Sequence, residues 1–535
     1  MFRTPTLAAI VTAARAGALD HAEALLREGR YDERHDDPSA LAVAARLKKD
    51  RALRLDGEPR RAGLIAAAAL YARADALRPQ PFARINVASL HLLAGDESEA
   101  RRIARDVLAQ FGSGQPLAET PYFLAAIRAE ALLVCGDPAA EQALDAAMAL
   151  DGGDWTDRAA TRRQLRLIAE ARGLPAGWID AHRPPASLNF AGHLGVGADG
   201  DAPLRAAIDA ELDRIRPGFA FGALAAGADI VIAEQLLARG CELHVVLPTA
   251  EEDFIAQSVT PYGADWLARY HACIDAAASV MATAHTTGTF EPLATALASE
   301  VAMGSACRNA RQIDGEAVQL LVVDEGPGPY GEGVWTAHIA ERWRDTGRQQ
   351  AVIRWPRTAR VAPSGRKESE GRADRRLVVL LKLGFAGIDD LDDAAFADAL
   401  DRVLTPFRQA AAGLHAQPML VLPAGNARFA AFATSQEAWD HARAALELPS
   451  TGLPVKIAGH YGMAHWLDSP PALVGRTVAQ LDRLFDLAVP GVLTVSEAFA
   501  SSLFLRGGED AFAEPIGEVD DVRILAITAV RGGLV

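Results

Sequence analysis

The sequence is poor in cysteine, contains no long apolar run and carries fewer basic than acidic residues. Its four cysteines, Cys135, Cys241, Cys273 and Cys307, are scattered and form no C-x-x-C pair. This spacing gives no zinc signature and suits a reducing compartment. No stretch reaches the roughly 18 uninterrupted apolar residues of a membrane-spanning helix, so none is expected. The formal net charge of -15 argues against nonspecific binding to nucleic acid or anionic membranes.

The rest of the composition is typical of a large globular protein. Half of the 535 residues are hydrophobic, which is enough for about three domains with cores of their own. The apolar stretch Leu7–Ala14 behind Arg3 is similar to the start of a signal peptide, but Arg15 and Asp20 continue it with a helical pattern. We therefore predict an amphipathic helix at this position and a cytoplasmic protein.

Residues 1–180 are rich in Ala, Leu, Arg and Glu, and they indicate pairs of helices without strands. Turns are predicted at Ala16-Gly17, Gly95-Asp96 and Gly136-Asp137, and in the two Gly-Asp pairs the Asp is predicted to cap the next helix. The stretch Tyr71–Leu108 resembles a tetratricopeptide repeat. Such repeats usually form a docking surface or an internal brace, so the resemblance implies a protein partner for this region.

The clearest pattern in the chain lies between Phe219 and Pro248. Two apolar runs, Phe219–Leu224 and Glu242–Leu247, flank a turn containing Gly227 and the helix-period segment Ile230–Arg239. This order predicts a βαβ unit with parallel strands and a right-handed crossover. Because glycine has no Cβ, an anion can approach the backbone N–H groups at the start of the helix beside Gly227.

The neighbouring segments extend this unit to a doubly wound parallel sheet over residues 186–356. Ser187–Ala191 predicts a strand that ends at a first glycine turn, and Val318–Val323 predicts a strand that ends at a second glycine cluster. Ligands of such sheets bind beyond the carboxyl ends of the strands, where both loops are expected. The predicted ligand-binding residues are Gly192, His193, Gly227, Ala228, Asp229, Gly326, Gly328, Gly331, Gly333 and Thr336. Asp229 has two interpretations, orienting a ligand hydroxyl or capping the helix.

The string GALAAGADIVIAEQLLARGCELHVVLP, together with FAGH at Phe190–His193, resembles the SLOG superfamily. The resemblance covers about a third of the chain and implies a nucleotide-derived ligand. The phosphoribohydrolase branch of that superfamily places a Glu three residues after the Thr of its second glycine loop. Here that position is Ile339, and Glu341 is two residues out of register, which weakens the alternative of an N-glycosidic hydrolase.

Residues 357–376 predict a solvated linker, and residues 377–535 predict a ferredoxin-like α+β domain with the element order β-α-β-β-α-β. The strings VVLLKLGFAGI, AGNARFAAF, LPVKIAGHYG and VGRTVAQLDRL resemble the class III nucleotidyl cyclases. They correspond to the first strand, the metal-binding hairpin, the following strand and the helix with the transition-state residues. The whole chain is thus predicted to be a multidomain protein with helical repeats, a doubly wound α/β domain and a cyclase-type domain.

The chemistry of that family is not expected here. Cyclisation needs two carboxylates that hold two divalent ions against the triphosphate. The resemblance places these carboxylates at Lys382 and Asn426, and neither residue is acidic. Of the transition-state pair, Asn aligns with Ala479 and Arg with Arg483. We therefore expect no metal site and an inactive cleft that contains Lys382, Asn426 and Arg483.

Four aspartates after the first strand of this domain are a further acidic feature. They are expected to cap the next helix rather than to replace the missing metal ligands: Asp389, Asp390, Asp392 and Asp393.

These features favour a signalling or regulatory protein that binds a nucleotide-derived ligand in its SLOG-like domain and relays it through the repeats and a pseudo-cyclase domain. Three alternatives stay open: a divergent class III adenylate or guanylate cyclase, an N-glycosidic nucleotide hydrolase, and an inert scaffold. Cyclase-like domains usually pair across a shared cleft, so the resemblance also implies a homodimer. No metal cofactor, nucleic acid or membrane partner is expected.

Overall fold

The computed structural model describes residues 5–111, 119–196, 201–284, 292–325, 334–357, 374–448, 452–519 and 522–529. Contacts divide the chain into two compact units. One comprises residues 1–183 with the end of the chain from Ala529, and the other comprises Pro184–Thr528. Among the helices in these ranges, none combines the length and hydropathy that crossing a membrane requires.

The first unit is built from helices, and consecutive helices pack on each other. Its described part contains α1 (Leu7–Arg15), α2 (Leu19–Glu28), α3 (Pro38–Ala52), α4 (Gly57–Leu77), α5 (Pro81–Leu93), α6 (Glu97–Phe111), α7 (Pro121–Cys135), α8 (Ala139–Met148), α9 (Trp155–Ala171) and α10 (Gly177–Asp180). The predicted turns are confirmed, since Gly17, Gly95 and Gly136 lie between helices with positive φ. Membership in the tetratricopeptide class stays a prediction.

The second unit begins with a parallel six-stranded sheet. Its strands are β1 (Ala186–Gly192), β2 (Pro217–Gly222), β3 (Glu242–Leu247), β4 (Ser279–Ala282), β5 (Ala317–Val323) and β6 (Gln350–Arg354). Its helices are α11 (Asp201–Ile215), α12 (Ala228–Ala238), α13 (Glu251–Ser258), α14 (Ala264–Asp275), α15 (Pro292–Gln312) and α16 (Val334–Arg344). The strand order β4-β3-β2-β1-β5-β6 reverses direction between β1 and β5. The predicted βαβ unit is confirmed, with β2 and β3 parallel around α12.

Successive side chains of this sheet enter two different cores. Leu188 and Leu320 face α11, α12 and α14, and they belong to a core confined to this half. Leu321 and Val246 face the opposite way, toward α15 and α16. That second core continues into the second sheet of the unit.

The second sheet has β7 (Arg375–Phe385), β8 (Leu420–Ala424), β9 (Ala427–Phe432), β10 (Val455–Asp468), β11 (Pro471–Val474), β12 (Leu493–Ser496), β13 (Ala511–Val519) and β14 (Val522–Ala529). Its helices are α17 (Asp393–Ala399), α18 (Thr405–Ala412), α19 (Ser435–Leu446), α20 (Arg476–Leu487) and α21 (Glu497–Arg506). The order is β13-β14-β12-β10-β7-β9-β8, and β11 pairs with β10. Strand β11 is not part of the predicted order β-α-β-β-α-β, and the first helix of that order consists of α17 and α18, separated by a π-helical turn at Leu400–Leu404.

The two faces of this mixed sheet are covered by different helices. Leu380 and Ala458 pack with α20 on one face. Leu381 and Ile457 pack on the other face with α19 and α21, in the same core that receives Leu321 and Val246. The segment predicted as a linker lies mostly outside the described residues, but the two sheets that flank it share one core.

Candidate functional site

The strand order indicates the edge of the six-stranded sheet at which a ligand of an open α/β sheet is expected. In open α/β sheets, ligands bind beyond the carboxyl ends of the strands at the point where the strand order reverses. Here β1 and β5 meet at that point, and Gly192 at the end of β1 pairs with Val322 near the end of β5. The two predicted glycine loops therefore begin side by side.

Asp229 connects the first glycine turn to the loop before α12. Its Oδ1 accepts a hydrogen bond from the Gly192 N–H at 2.6 Å, and its Oδ2 accepts one from the Ala225 N–H at 3.2 Å. The side chain is buried, and this desolvation raises its pKa to about 7 against the opposing effect of the two hydrogen bonds. Neither donor belongs to α12, so Asp229 fastens the end of β1 to the loop before α12. Its predicted contact with a ligand hydroxyl stays a prediction.

The backbone of Gly227 and Ala228 contacts the loop that follows β1. Gly227 has a φ of +128° and forms an isolated bridge with Leu194. A Cβ at Gly227 would lie 2.8 Å from the carbonyl oxygen of His193, and the Ala228 N–H donates to that same oxygen at 3.2 Å. The loop after β1 therefore covers the start of α12 where an anion was predicted. A direct role of Gly227 and Ala228 in ligand binding stays a prediction.

His193 lies between two main-chain carbonyl groups at this edge. Its Nδ1 is 3.0 Å from the Leu194 oxygen and its Nε2 is 2.9 Å from the Trp355 oxygen. Burial lowers its pKa, and a neutral imidazole donates through only one nitrogen. Because Trp355 follows β6, His193 connects the ends of β1 and β6.

An ion pair at the same edge involves two residues that are not among the predicted site residues. The carboxylate of Asp324, which directly follows β5, lies 3.4 Å from the Arg357 guanidinium. An acidic residue after a buried strand was the available signal for this pair.

The second glycine loop lies outside the described residues, including Gly326, Gly328, Gly331 and Gly333. Thr336 is within the first turn of α16 and is half-buried. Ile339, at the position of the hydrolase carboxylate, is buried in the core, and Glu341 is exposed. The position three residues after Thr336 thus faces away from solvent.

The predicted cyclase-type cleft lies on the face of the second sheet that α20 covers. Lys382 on β7 donates through its Nζ to Asp482 Oδ1 of α20 at 2.7 Å, and this Nζ lies 4.8 Å from the Phe485 ring centroid. Lys456 on β10 places its own Nζ 5.0 Å from the same ring and donates to the Asp486 carbonyl at 3.1 Å. Burial lowers the pKa of Lys456. An ammonium group therefore occupies one of the positions where the family resemblance implies a metal ligand, and a second ammonium group lies over the same ring.

The second predicted metal position is neutral. Asn426, in the turn between β8 and β9, donates through its Nδ2 to Asp389 Oδ1 at 2.7 Å. This bond corrects the expectation that Asp389 caps the next helix. The cap of α17 is Asp392, which accepts from the Ala395 N–H at 2.8 Å.

These residues do not fit the two divalent ions that the family resemblance implies. The described part of the chain contains no group of three or more His, Cys, Asp or Glu side chains that could hold a metal ion. An ammonium repels a cation, and the Lys382 ion pair neutralises a carboxylate that otherwise could have served as a ligand.

The exposed side of α20 contains an open pocket of about 320 Å³. Arg476, Ala479, Gln480 and Arg483 line it, with the spacing of one helix face. Gln480 is buried, and within the described structure its Nε2 has no hydrogen-bond partner. The pocket thus presents two guanidinium groups, which is a composition suited to an anion. It contains both transition-state positions of the resemblance, Ala479 and Arg483.

No family model and no curated protein matches this chain. The solved structures that are similar to part of it include the adenylyl cyclase CyaB from P. aeruginosa, with 14% identity and a TM-score of 0.25, over 30% of this chain and 97% of that chain. Another is the guanylate cyclase domain of RhGC from Catenaria anguillulae in complex with GTP, with 15% identity and a TM-score of 0.25, over 30% of this chain and 100% of that chain. The guanylyl cyclase Cya2 has 16% identity and a TM-score of 0.23, over 30% of this chain and 94% of that chain.

Proposed function

We propose that the chain is a signalling or regulatory protein that binds a nucleotide-derived anion at the carboxyl edge between β1 and β5. The observation that carries the proposal is the pairing of Gly192 with Val322, which starts both glycine loops at the point where the strand order reverses. The loop after β1 covers the start of α12, because His193 accepts from Ala228. The proposal therefore places the anion against the second glycine loop and the start of α16.

We also propose that the cyclase-like half makes no cyclic nucleotide. Support comes from the Lys382 ion pair with Asp482 and from the hydrogen bond between Asn426 and Asp389. Both contacts use the positions at which metal-dependent cyclisation needs free carboxylates. The cyclase-like half would then relay ligand binding or bind a partner protein. The proposal includes a homodimer formed through this half.

The experiment is a calorimetric titration of the full-length protein with nucleoside mono-, di- and triphosphates and with cyclic nucleotides. Gly333→Val adds bulk in the second glycine loop and should weaken binding by at least roughly tenfold if the ligand approaches the backbone there. Gly517→Val on β13 is the matched control, since nothing lies within 4 Å of a Cβ at that exposed position. Equal affinities of both variants and the parent would contradict the proposed site.

The pocket on α20 is the second candidate, because its two arginines also suit an anion. Arg483→Ala separates the two sites. A nucleotide whose affinity falls in Arg483→Ala but not in Gly333→Val binds at α20, and the six-stranded sheet is then not the receptor site.

A further inference from the structure

One helix, α15, belongs to the packing of both halves of the second unit. It contacts β1, β2 and β3 of the six-stranded sheet and also packs along α21. The approach to α21 is unusually close, since a Cβ on Gly304 would lie 1.9 Å from the Ser501 carbonyl oxygen. Beside this point, the hydroxyls of Ser305 and Ser501 are 3.0 Å apart. The two helices therefore touch through their main chains.

A buried ion pair fixes α15 to α21. Arg308 donates through its Nη2 to Glu497 Oε1 at 2.7 Å, and both side chains are nearly inaccessible to solvent. A buried pair of this kind is costly to separate, because either charge alone would remain in a poorly solvated site. We therefore expect α15 and α21 to keep their relative position when neighbouring elements move.

Glu300 is the buried charge through which other elements contact this pair of helices. The residue is 1% exposed. Its Oε2 accepts from the Tyr461 hydroxyl at 2.7 Å, and its Oε1 accepts from Arg506 at 3.0 Å and lies 3.3 Å from Arg342. Arg342 is on α16, Tyr461 on β10 and Arg506 at the end of α21. One carboxylate thus joins two elements of each half.

The position of α16 connects the Glu300 contacts to the proposed ligand-binding edge. The helix directly follows the second glycine loop, and Arg342 lies about two turns from its first residue. A displacement of α16 would pull Arg342 from Glu300, and an incompletely paired buried carboxylate is strongly destabilised. Its remaining partners must then rearrange.

We propose that Glu300 couples the position of α16 to that of β10 and α21, so that the cyclase-like half responds to the state of the ligand-binding edge. The role of the ligand in this coupling rests on the proposed function above. The coupling itself is a property of the contacts and is testable without any ligand. It is a coupling free energy between two sites through one shared group.

The test is a double-mutant cycle between Arg342→Gln and Tyr461→Phe in the full-length protein. These residues contact different oxygens of Glu300, so non-additivity that passes through the carboxylate should disappear when the cycle is repeated in Glu300→Gln. Hydrogen exchange measured by mass spectrometry should rise in α16 on Tyr461→Phe and in β10 on Arg342→Gln. The exchange rates of the double variant should depart from the product of the single effects by roughly two- to hundredfold. Effects that multiply, or that stay within the mutated element, would overturn the proposal.

Glu234 supplies a matched control. This carboxylate also binds two arginines, Arg205 of α11 and Arg269 of α14, but all three elements belong to the six-stranded half. Glu234→Gln should therefore loosen α11 and α14 and leave β10 unchanged. An equal response of β10 to Glu234→Gln would show that general destabilisation, and not Glu300, carries the effect.

Hydrogen exchange with and without nucleotide distinguishes a failure of the coupling from a failure of the proposed function. If no nucleotide binds while the cycle is non-additive, the ligand assignment fails and the coupling stands. If a nucleotide binds, it should change the exchange of β10 and α21 in the parent but not in Glu300→Gln. A ligand that protects only its own half in the parent would contradict the coupling.

Discussion

Replacing Asp229 with Asn separates a structural from a ligand-binding role at the first glycine turn. In the parent, one carboxylate oxygen accepts from the Gly192 N–H and the other from the Ala225 N–H. The amide retains one acceptor oxygen but presents an NH₂ group to the other donor. Leaving one buried N–H without an acceptor costs about 1–3 kcal/mol. Against this loss stands the cost of burying a charged carboxylate, which Asn does not have.

The pH dependence of this effect follows from burial. Desolvation raises the pKa of Asp229 to about 7, above the 3.8 of the unfolded chain. Between pH 4 and pH 7 the Asp229 carboxyl is therefore protonated in the folded state but ionised in the unfolded chain. Its contribution to the free energy of unfolding is complete below pH 4 and is lost as the pH rises through 7. The full span corresponds to roughly 4 kcal/mol. Asn does not titrate, so the free energy of unfolding of the parent should fall relative to that of the variant as the pH rises from 5 to 8.

Urea denaturation of both proteins from pH 5 to pH 8 measures this difference, and hydrogen exchange at Gly192 and Ala225 locates it. Asp392→Asn is the control, since this exposed residue caps α17 and Asn caps a helix as well as Asp does. A parent–variant difference that is constant with pH would refute the buried-carboxylate reasoning. Unchanged stability with weaker nucleotide binding would instead assign Asp229 to the ligand.

Two further predictions concern the rest of the second unit. The unmodified protein should form no cyclic nucleotide from ATP or GTP with Mg²⁺ or Mn²⁺, and Asp at both Lys382 and Asn426 should not suffice to restore activity; product formation by the parent in a chromatographic assay would contradict this. Gly304→Ala should lower the unfolding midpoint, because its Cβ meets the Ser501 main chain at 1.9 Å. Overpacking costs typically 1–3 kcal/mol, whereas Gly517→Ala, measured in parallel, should change little.

The order of elements could be predicted from the sequence because local signals determine it. Alternating strand and helix patterns over residues 186–356 predicted a parallel sheet, and β3 begins and ends at the predicted residues. Glycines with positive φ, such as Gly136, ended helices as expected. Each of these signals lies within a few residues of the feature that it predicts.

The candidate sites were less predictable, because their contacts join residues that are distant in the sequence. The family resemblance identified Lys382 as a departure from a metal ligand, but nothing local indicated that Asp482, a hundred residues later, would neutralise it. In the same way, Gly227 suggested room for an anion, whereas the structure shows that Leu194 and His193 approach it. A glycine allows another group to approach the backbone closely, but the sequence does not show whether that group is a ligand or another part of the chain.

The composition of α15 carried a signal that could have revealed the shared core. Surface helices have one apolar stripe and a polar opposite face, but most of α15 is apolar or small around its whole circumference. Such a helix must be covered on several sides, and a single sheet covers only one. Its two buried charged residues, Glu300 and Arg308, therefore had to find partners in a second layer. The partners are Tyr461, Arg506 and Glu497, which is why the two sheets share one core and why a change at one is expected to reach the other.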